Sequence, residues 1–166
     1  GNHPAVYVSW FDAVAFCRWL SRRLGFPVRL PDEWEWQQAA TGGGANNVFP
    51  WGSEWDAKQE PWRANTFESR LGQPTAVGMY PAGVSPAGAL DMAGTVWEWC
   101  LNKFKAPEVI RSGARDFSAC VLRGGSWSYS EDGARAACRV RDIPDGRLNS
   151  IGFRVVCSSP SSSTDP

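Results

Sequence analysis

Trp10, Ala13, Val14, Cys17, Leu20 and Leu24 recur at helical spacing and define one apolar face. Ser9 precedes the run and Asp12 follows three residues later, which predicts a capping box at its start. Arg18, Arg22 and Arg23 crowd its C-terminal half, where the helix dipole favours cations, and Gly25 predicts the stop. Pro27–Leu30 predicts a short extended piece. A second helix is expected with Pro31 in its first turn and with Asp32 and Glu33 at its positive end. It should run through Trp34, Trp36 and Ala40 to the glycines at 42–44.

Beyond this point the periodicity fades. Thr41–Asn47 has loop composition, and an irregular stretch follows to Gly72. Trp51, Trp55, Trp62 and Phe67 recur through it, so it is expected to be packed down by aromatic rings. Thr75–Tyr80 and Cys120–Arg123 predict strands, and Ile151–Val156 predicts a final one. Within Ala89–Cys100 the pattern of Val96 and Trp99 against Glu98 defines no clean strand. Lys103–Ser118 predicts an exposed loop, and 158–166 a disordered tail.

Composition narrows the class. A chain of 166 residues can bury one substantial core, and 10 Trp beside 17 Gly and 12 Pro point to a loop-rich α+β domain resting on large rings. Lys plus Arg and Asp plus Glu both number 17, so nothing favours nucleic acid as a partner. No apolar run approaches the ~20 residues that span a bilayer, so no membrane association is expected. The opening residues, GNHPAVYVSW, lack the features of a secretion signal. The expected location is therefore the cytoplasm, left unknown by an abrupt start that suggests a fragment. The five cysteines have no CxxC spacing and there is a single His, His3, which argues against a zinc or His-rich iron centre.

The segment Leu122–Val156 behaves differently from the rest. A regular frame runs through it: Arg123-Gly124-Gly125-Ser126-Trp127, Ala134–Ala137, Arg139, Arg141, Pro144-Asp145, Arg147 and Ile151–Val156. Between these lie Ser128, Tyr129, Asp132, Gly133, Cys138, Val140, Asp142, Ile143, Gly146, Leu148, Asn149 and Ser150, which follow no apolar period. Such a mixture suits a displayed surface on a rigid scaffold, with Trp127, Ile151, Phe153 and Val155 as core anchors and Arg135 and Pro144 in the fixed frame.

The motifs VSWFDAVAFCRWLSRRLG, RLPDEWEWQQAA, FPWGSEWD, RANTFES, ALDMAGTVWEWC, LRGGSW and IGFRVV resemble, in this order, the formylglycine-generating-enzyme (sulfatase-modifying factor) family. The resemblance covers nearly all of His3–Cys157. It implies an α+β fold of the C-type-lectin-like, formylglycine-generating type: two helices, small twisted antiparallel sheets and much irregular structure. Residues 1–157 would form this domain, without the family's usual N-terminal strand region. In the family's oxidases, two cysteines shortly after the GGSW-like motif hold copper(I), which demands soft thiolates. Here Ser128–Gly133 contains no Cys, and Cys138 stands further on alone, so the expectation is a protein that is not an enzyme.

LPDEWEWQQAATGG, AVGMYPAGVSPAGALDMAG and ARAACRVRDIPDGRLNSIGFRVVCSSP resemble the variable proteins of diversity-generating retroelements. In that group mutagenic reverse transcription rewrites template adenines in the final segment. Asparagine codons randomised at their first two bases yield fifteen residue types, and each of the twelve interleaved positions carries one of them. The implied function is ligand binding by the twelve side chains, toward a protein or peptide. Two alternatives stay open: a copper oxidase of the formylglycine-generating type, or a noncatalytic regulatory module fused to a kinase or protease. The resemblance also places Asn65 where the family can hold calcium, which would make structural calcium the one cofactor. The second such position is Thr95, and calcium takes six to eight oxygens, so a structural turn is the expectation for Asn65. Cys17 and Cys157 correspond to a disulfide in some relatives; buried thiols are expected for a cytosolic chain. Trp97 and Trp99 are expected in the core, with Glu98 as a structural hydrogen-bond acceptor.

Overall fold

The structure, a computed structural model, describes residues 1–44, 46–55, 62–110 and 116–157. The tail expected at 158–166 lies outside these, as do parts of the two expected loops, at 56–61 and 111–115. The described residues form helices α1 (Trp10–Leu24) and α2 (Glu33–Thr41), and strands β1 (Val28–Arg29), β2 (Trp97–Lys103), β3 (Cys120–Arg123), β4 (Arg139–Asp142), β5 (Ile151–Gly152) and β6 (Val156–Cys157). Much of the rest is turns, including short 3₁₀ helices at Phe67–Ser69 and Pro81–Gly83.

Both helices start where capping chemistry predicts. Ser9 and Asp12 form the full capping box of α1, and Gly25 ends it in the left-handed conformation. In α2 the cap is Asp32, whose carboxylate accepts the Trp34 and Glu35 N–H groups. Pro31 therefore precedes the helix rather than occupying its first turn, because Asp32 supplies the capping oxygen.

The main sheet has the order β4-β3-β2-β5. Its pairings are antiparallel except β2 with β5, which run parallel with Trp97 opposite Ile151. Both faces are covered. On one, Trp97 and Trp99 of β2, with Cys120 and Leu122 of β3, pack on Trp10, Ala13 and Cys17 of α1. On the other, Cys100 and Val121 meet Trp36 and Ala40 of α2. Alternate side chains of a strand face opposite ways, so a strand buried on both faces loses its polar alternation. This is why β2 could not be delimited from its sequence.

Three expectations need correction. Thr75–Tyr80 is not a strand; Gly78 sits at φ +78° and its N–H donates to the Asp91 carboxylate at 2.7 Å, which turns the chain. Ile151–Val156 is not one strand but two in separate sheets. Ala5 lies against the chain at Gly152, where a Cβ would come 2.7 Å from its carbonyl oxygen, and the chain then leaves to pair Cys157 with Val28. Leu24 is 48% exposed at the helix end, leaving Trp10, Ala13 and Cys17 as the buried face.

Polar tethers complete the core. Glu98, buried on β2, accepts Trp36 Nε1 at 2.7 Å and Arg154 Nε at 2.6 Å. Glu33, buried at the start of α2, accepts Arg139 Nε at 3.0 Å and its terminal nitrogen at 2.9 Å. All five cysteines are free thiols; Cys17 and Cys100 are buried, and Cys157 is exposed rather than buried because it sits on the outer two-stranded sheet. Burial, and secondarily the nearby Cys157, pushes the Cys17 thiol up to about 11. Among the described residues no helix is long and apolar enough to cross a membrane.

Removing Arg154 would leave the Glu98 carboxylate buried without its counter-charge. Arg154→Ala should therefore cost about 3 kcal/mol in urea denaturation, whereas Arg154→Ala combined with Glu98→Gln, which removes both charges and keeps an acceptor for Trp36, should cost less.

Candidate ligand-binding surface

The segment after β3 begins with a tight turn at Gly124 and Gly125, both with positive φ. A Cβ at Gly125 would stand 2.8 Å from the backbone of Gly133, so only glycine lets these two stretches close on each other. Trp127 N–H then donates to Thr95 C=O at 3.2 Å, and β4 joins the sheet edge. The return to β5 is tied down at Pro144, whose carbonyl accepts Trp10 N–H at 3.0 Å, and at Ser150, whose carbonyl accepts Trp97 N–H at 2.8 Å.

Side chains of the fixed frame supply the other ties. Arg139 reaches Glu33 of α2, Arg147 reaches Asp12 of α1, and Arg154 reaches Glu98 of β2. Arg123 turns its guanidinium over the Trp36 ring, 5.1 Å from the centroid, and donates to Ala136 C=O at 2.8 Å. Asp12 is held below the usual carboxylate range, first by the Ser9 N–H and then by the Ser9 hydroxyl and Arg147. These carboxylates lie far away in sequence, and no local pattern marks them as partners of the segment.

The twelve interleaved residues divide into three groups. Ser128, Tyr129, Asp132, Ile143, Leu148 and Asn149 are exposed. Cys138, Val140, Asp142 and Gly146 are half-buried, with Cys138 and Val140 packed against the α1-side core. Gly133 and Ser150 are buried, contrary to the expectation that all twelve project outward. A Cβ at Gly133 would approach Tyr129 Cβ at 3.1 Å and Ser130 O at 3.3 Å, and Ser150 is drawn inward by its bond to β2. Clefts of about 420 and 340 Å³ exist elsewhere, one beside Lys103, Lys105 and Arg141 and one beside Leu90 and Arg154. Neither is lined by any of the twelve.

The expected anchors also divide. Ile151 is in the core and Pro144 is buried. Trp127, Phe153 and Val155 are half-buried, because they lie where the segment leaves the sheet. The Phe153 ring stacks edge-on with Phe16 at 5.5 Å. Arg135 is exposed and lies 3.7 Å from Asp132, a solvated pair rather than a buried frame contact. Tyr129 rests its ring edge-on against Trp97 at 5.2 Å, which orients an otherwise exposed side chain.

Asn65 is fully buried, donates to Gln73 C=O at 2.9 Å and accepts from the Ser69 hydroxyl at 2.8 Å, the bonds of a structural turn. No group of three His, Cys, Asp or Glu suited to a metal occurs among the described residues. Burial pushes the Cys138 thiol up, with Arg123 opposing.

A domain model described as sulfatase-modifying factor enzyme 1-like matches residues 1–159. The chain belongs to the sulfatase-modifying factor family. Within this family it is 36% identical over 172 residues to an inactive C-alpha-formylglycine-generating enzyme 2 of Bos taurus, covering 94% of the chain and 50% of the relative. It is 34% identical over 170 residues to a formylglycine-generating enzyme of Streptomyces coelicolor, covering 92% of the chain and 52% of the relative. The chain thus spans about half the length of these curated relatives, and both an inactive and an active name occur among them. Among solved structures it is similar to Treponema denticola variable protein 1, with TM-score 0.76 and 25% identity. That match covers 95% of this chain and 72% of the other. The α+β fold of the C-type-lectin-like, formylglycine-generating type is thereby established.

The burial pattern separates tolerant from intolerant positions. Ile143→Ala and Leu148→Ala should shift stability by no more than about 0.5 kcal/mol. Gly133→Val, which overpacks a closed turn, should cost about 1–3 kcal/mol; thermal unfolding of the three variants distinguishes the classes.

Proposed function

We propose that this domain is a non-catalytic ligand-binding protein whose C-terminal surface is rewritten by a retroelement to recognise varied protein ligands. The observation that carries the reading is the division of labour within one segment. Arg139, Arg147 and Arg154 of its frame bond to α1, α2 and β2, while Ser128, Tyr129, Asp132, Ile143, Leu148 and Asn149, interleaved with them, are exposed. Side chains that hold the fold are thus separate from side chains that can change, as a replaceable surface requires. The similarity to Treponema denticola variable protein 1 supports the same reading.

A protein partner fits exposed side chains of mixed character, Tyr129, Ile143 and Leu148 with Asp132 and Asn149, since protein interfaces combine aromatic and aliphatic contacts with polar ones. The reading requires no cofactor. It also accounts for the half-buried Cys138, which stands alone in the segment where two copper(I)-binding thiolates would be needed for oxidase chemistry.

Two measurements test it. Sequencing codons 122–156 across close isolates should show substitutions concentrated at the six exposed positions and at template adenines, with the arginine codons unchanged. Uniform codons, with no second template copy nearby, would remove the basis for diversification. A copper(I) titration should give no stoichiometric tight complex; a one-to-one complex that oxidises a Cys-containing peptide would establish the oxidase instead.

A further inference from the structure

The cleft of about 420 Å³ at the open edge of the main sheet is lined by Lys103, Lys105, Ala106, Ser118, Ala119 and Arg141. Among the described residues this wall carries three cations and no carboxylate. The sheet brings them together. At the start of β3, Cys120 pairs with Lys103 of β2 on one side and Val121 with Arg141 of β4 on the other. Phe104 N–H then donates to Ala119 C=O at 2.9 Å, which holds the chain after β2 against the chain before β3.

Like charges gathered on one concave wall repel one another and draw in an anion. Lys103 is neutralised from within, its ammonium lying 2.7 Å from the Asp116 carboxylate. Lys105 and Arg141 are exposed, and among the described residues neither has a hydrogen bond or an ion pair. Arg123, Arg139, Arg147 and Arg154 of the same segment each donate to an acceptor within the fold, which sets Arg141 apart. Its guanidinium lies over the Phe104 ring, 5.4 Å from the centroid. A planar fork steadied by a ring loses less freedom when it binds than an ammonium on a flexible stem.

We propose that this cleft binds the phosphate monoester of a small molecule, with Arg141 and Lys105 as its principal contacts and the Ser118 hydroxyl as a further donor. A phosphate monoester carries about −1.5 to −2 charges at pH 7 and three acceptor oxygens, which matches a guanidinium fork, an ammonium and a hydroxyl together. A carboxylate brings one charge and two oxygens, too few for that wall. The volume lies within the range of about 300–1,000 Å³ in which small molecules are held, so the carrier of the phosphate is small. Asp116 tunes the affinity, because it occupies Lys103. The site is separate from the ligand surface proposed above, since none of the twelve interleaved residues lines it.

The test titrates the whole chain, labelled with nitrogen-15, with glucose 6-phosphate at about 0.15 M salt, where loose surface attraction is screened. Saturable amide shifts are expected at Lys105, Ala106, Ser118, Ala119 and Arg141, and none with glucose. Lys105→Ala and Arg141→Ala should each weaken Kd about tenfold, the loss of one charge-assisted contact. Arg22→Ala, which removes an exposed cation of α1, should change Kd less than about twofold. Asp116→Asn should act in the opposite sense. It frees Lys103 while keeping an acceptor for the Ser118 N–H, so Kd should tighten about fivefold, a gain that a merely structural role does not produce. Shifts spread over basic residues across the whole surface, without saturation, would make these cations solvated charges and overturn the proposal. So would a Lys105→Ala variant that binds as the parent does, or an Asp116→Asn variant that binds no tighter. A phosphoserine peptide that binds at least about tenfold tighter than glucose 6-phosphate would give the cleft to a phosphorylated protein and overturn the small-molecule assignment.

Discussion

A carboxylate taken out of water must find a counter-charge, and this fold places two of them under one segment. Glu33 and Glu98 are buried at the start of α2 and on β2, and each is completed by an arginine that arrives from Leu122–Val156. Such a pair adds little net stability over apolar packing, yet losing one partner is costly. Its effect is therefore positional. The segment can lie in only one register, because any slip would leave a buried charge unmatched. Asp12 repeats the arrangement at the surface, where it caps α1 and receives Arg147.

Register fixed by charge leaves the exposed side chains between the tethers with little structural duty. An ordinary strand would hold its place by burying every second residue. Here β4 is an edge strand with half-buried and exposed positions, and its neighbour β3 is buried throughout. The sheet is clamped between α1 and α2, so the edge carries a surface without having to supply the core.

Legibility followed the range of the interaction. The caps of α1 and α2, the stop at Gly25 and the strand Cys120–Arg123 rest on neighbours in sequence and were readable there. The limits of β2 were not, since Trp97, Glu98, Trp99 and Cys100 are all buried and alternation vanishes. Nor could sequence show that Gly133 and Ser150 turn inward, because both meet Trp97 across the fold, Gly133 beside its ring and Ser150 through its N–H. The frame of the segment was visible as repeated arginines, but their partners Asp12, Glu33 and Glu98 were not.

The three arginine tethers bridge 135, 106 and 56 residues. Closing loops of that size is entropically slow, and chains dominated by such distant pairings fold late in the range open to small domains. The segment can dock only after α1, α2 and β2 have assembled the sites that receive it. The rate of that last step is then set by the tethering arginines and the carboxylates that receive them, and the side chains facing solvent take little part in it. Substitution of those exposed side chains would accordingly leave the time needed to reach the native state nearly unchanged.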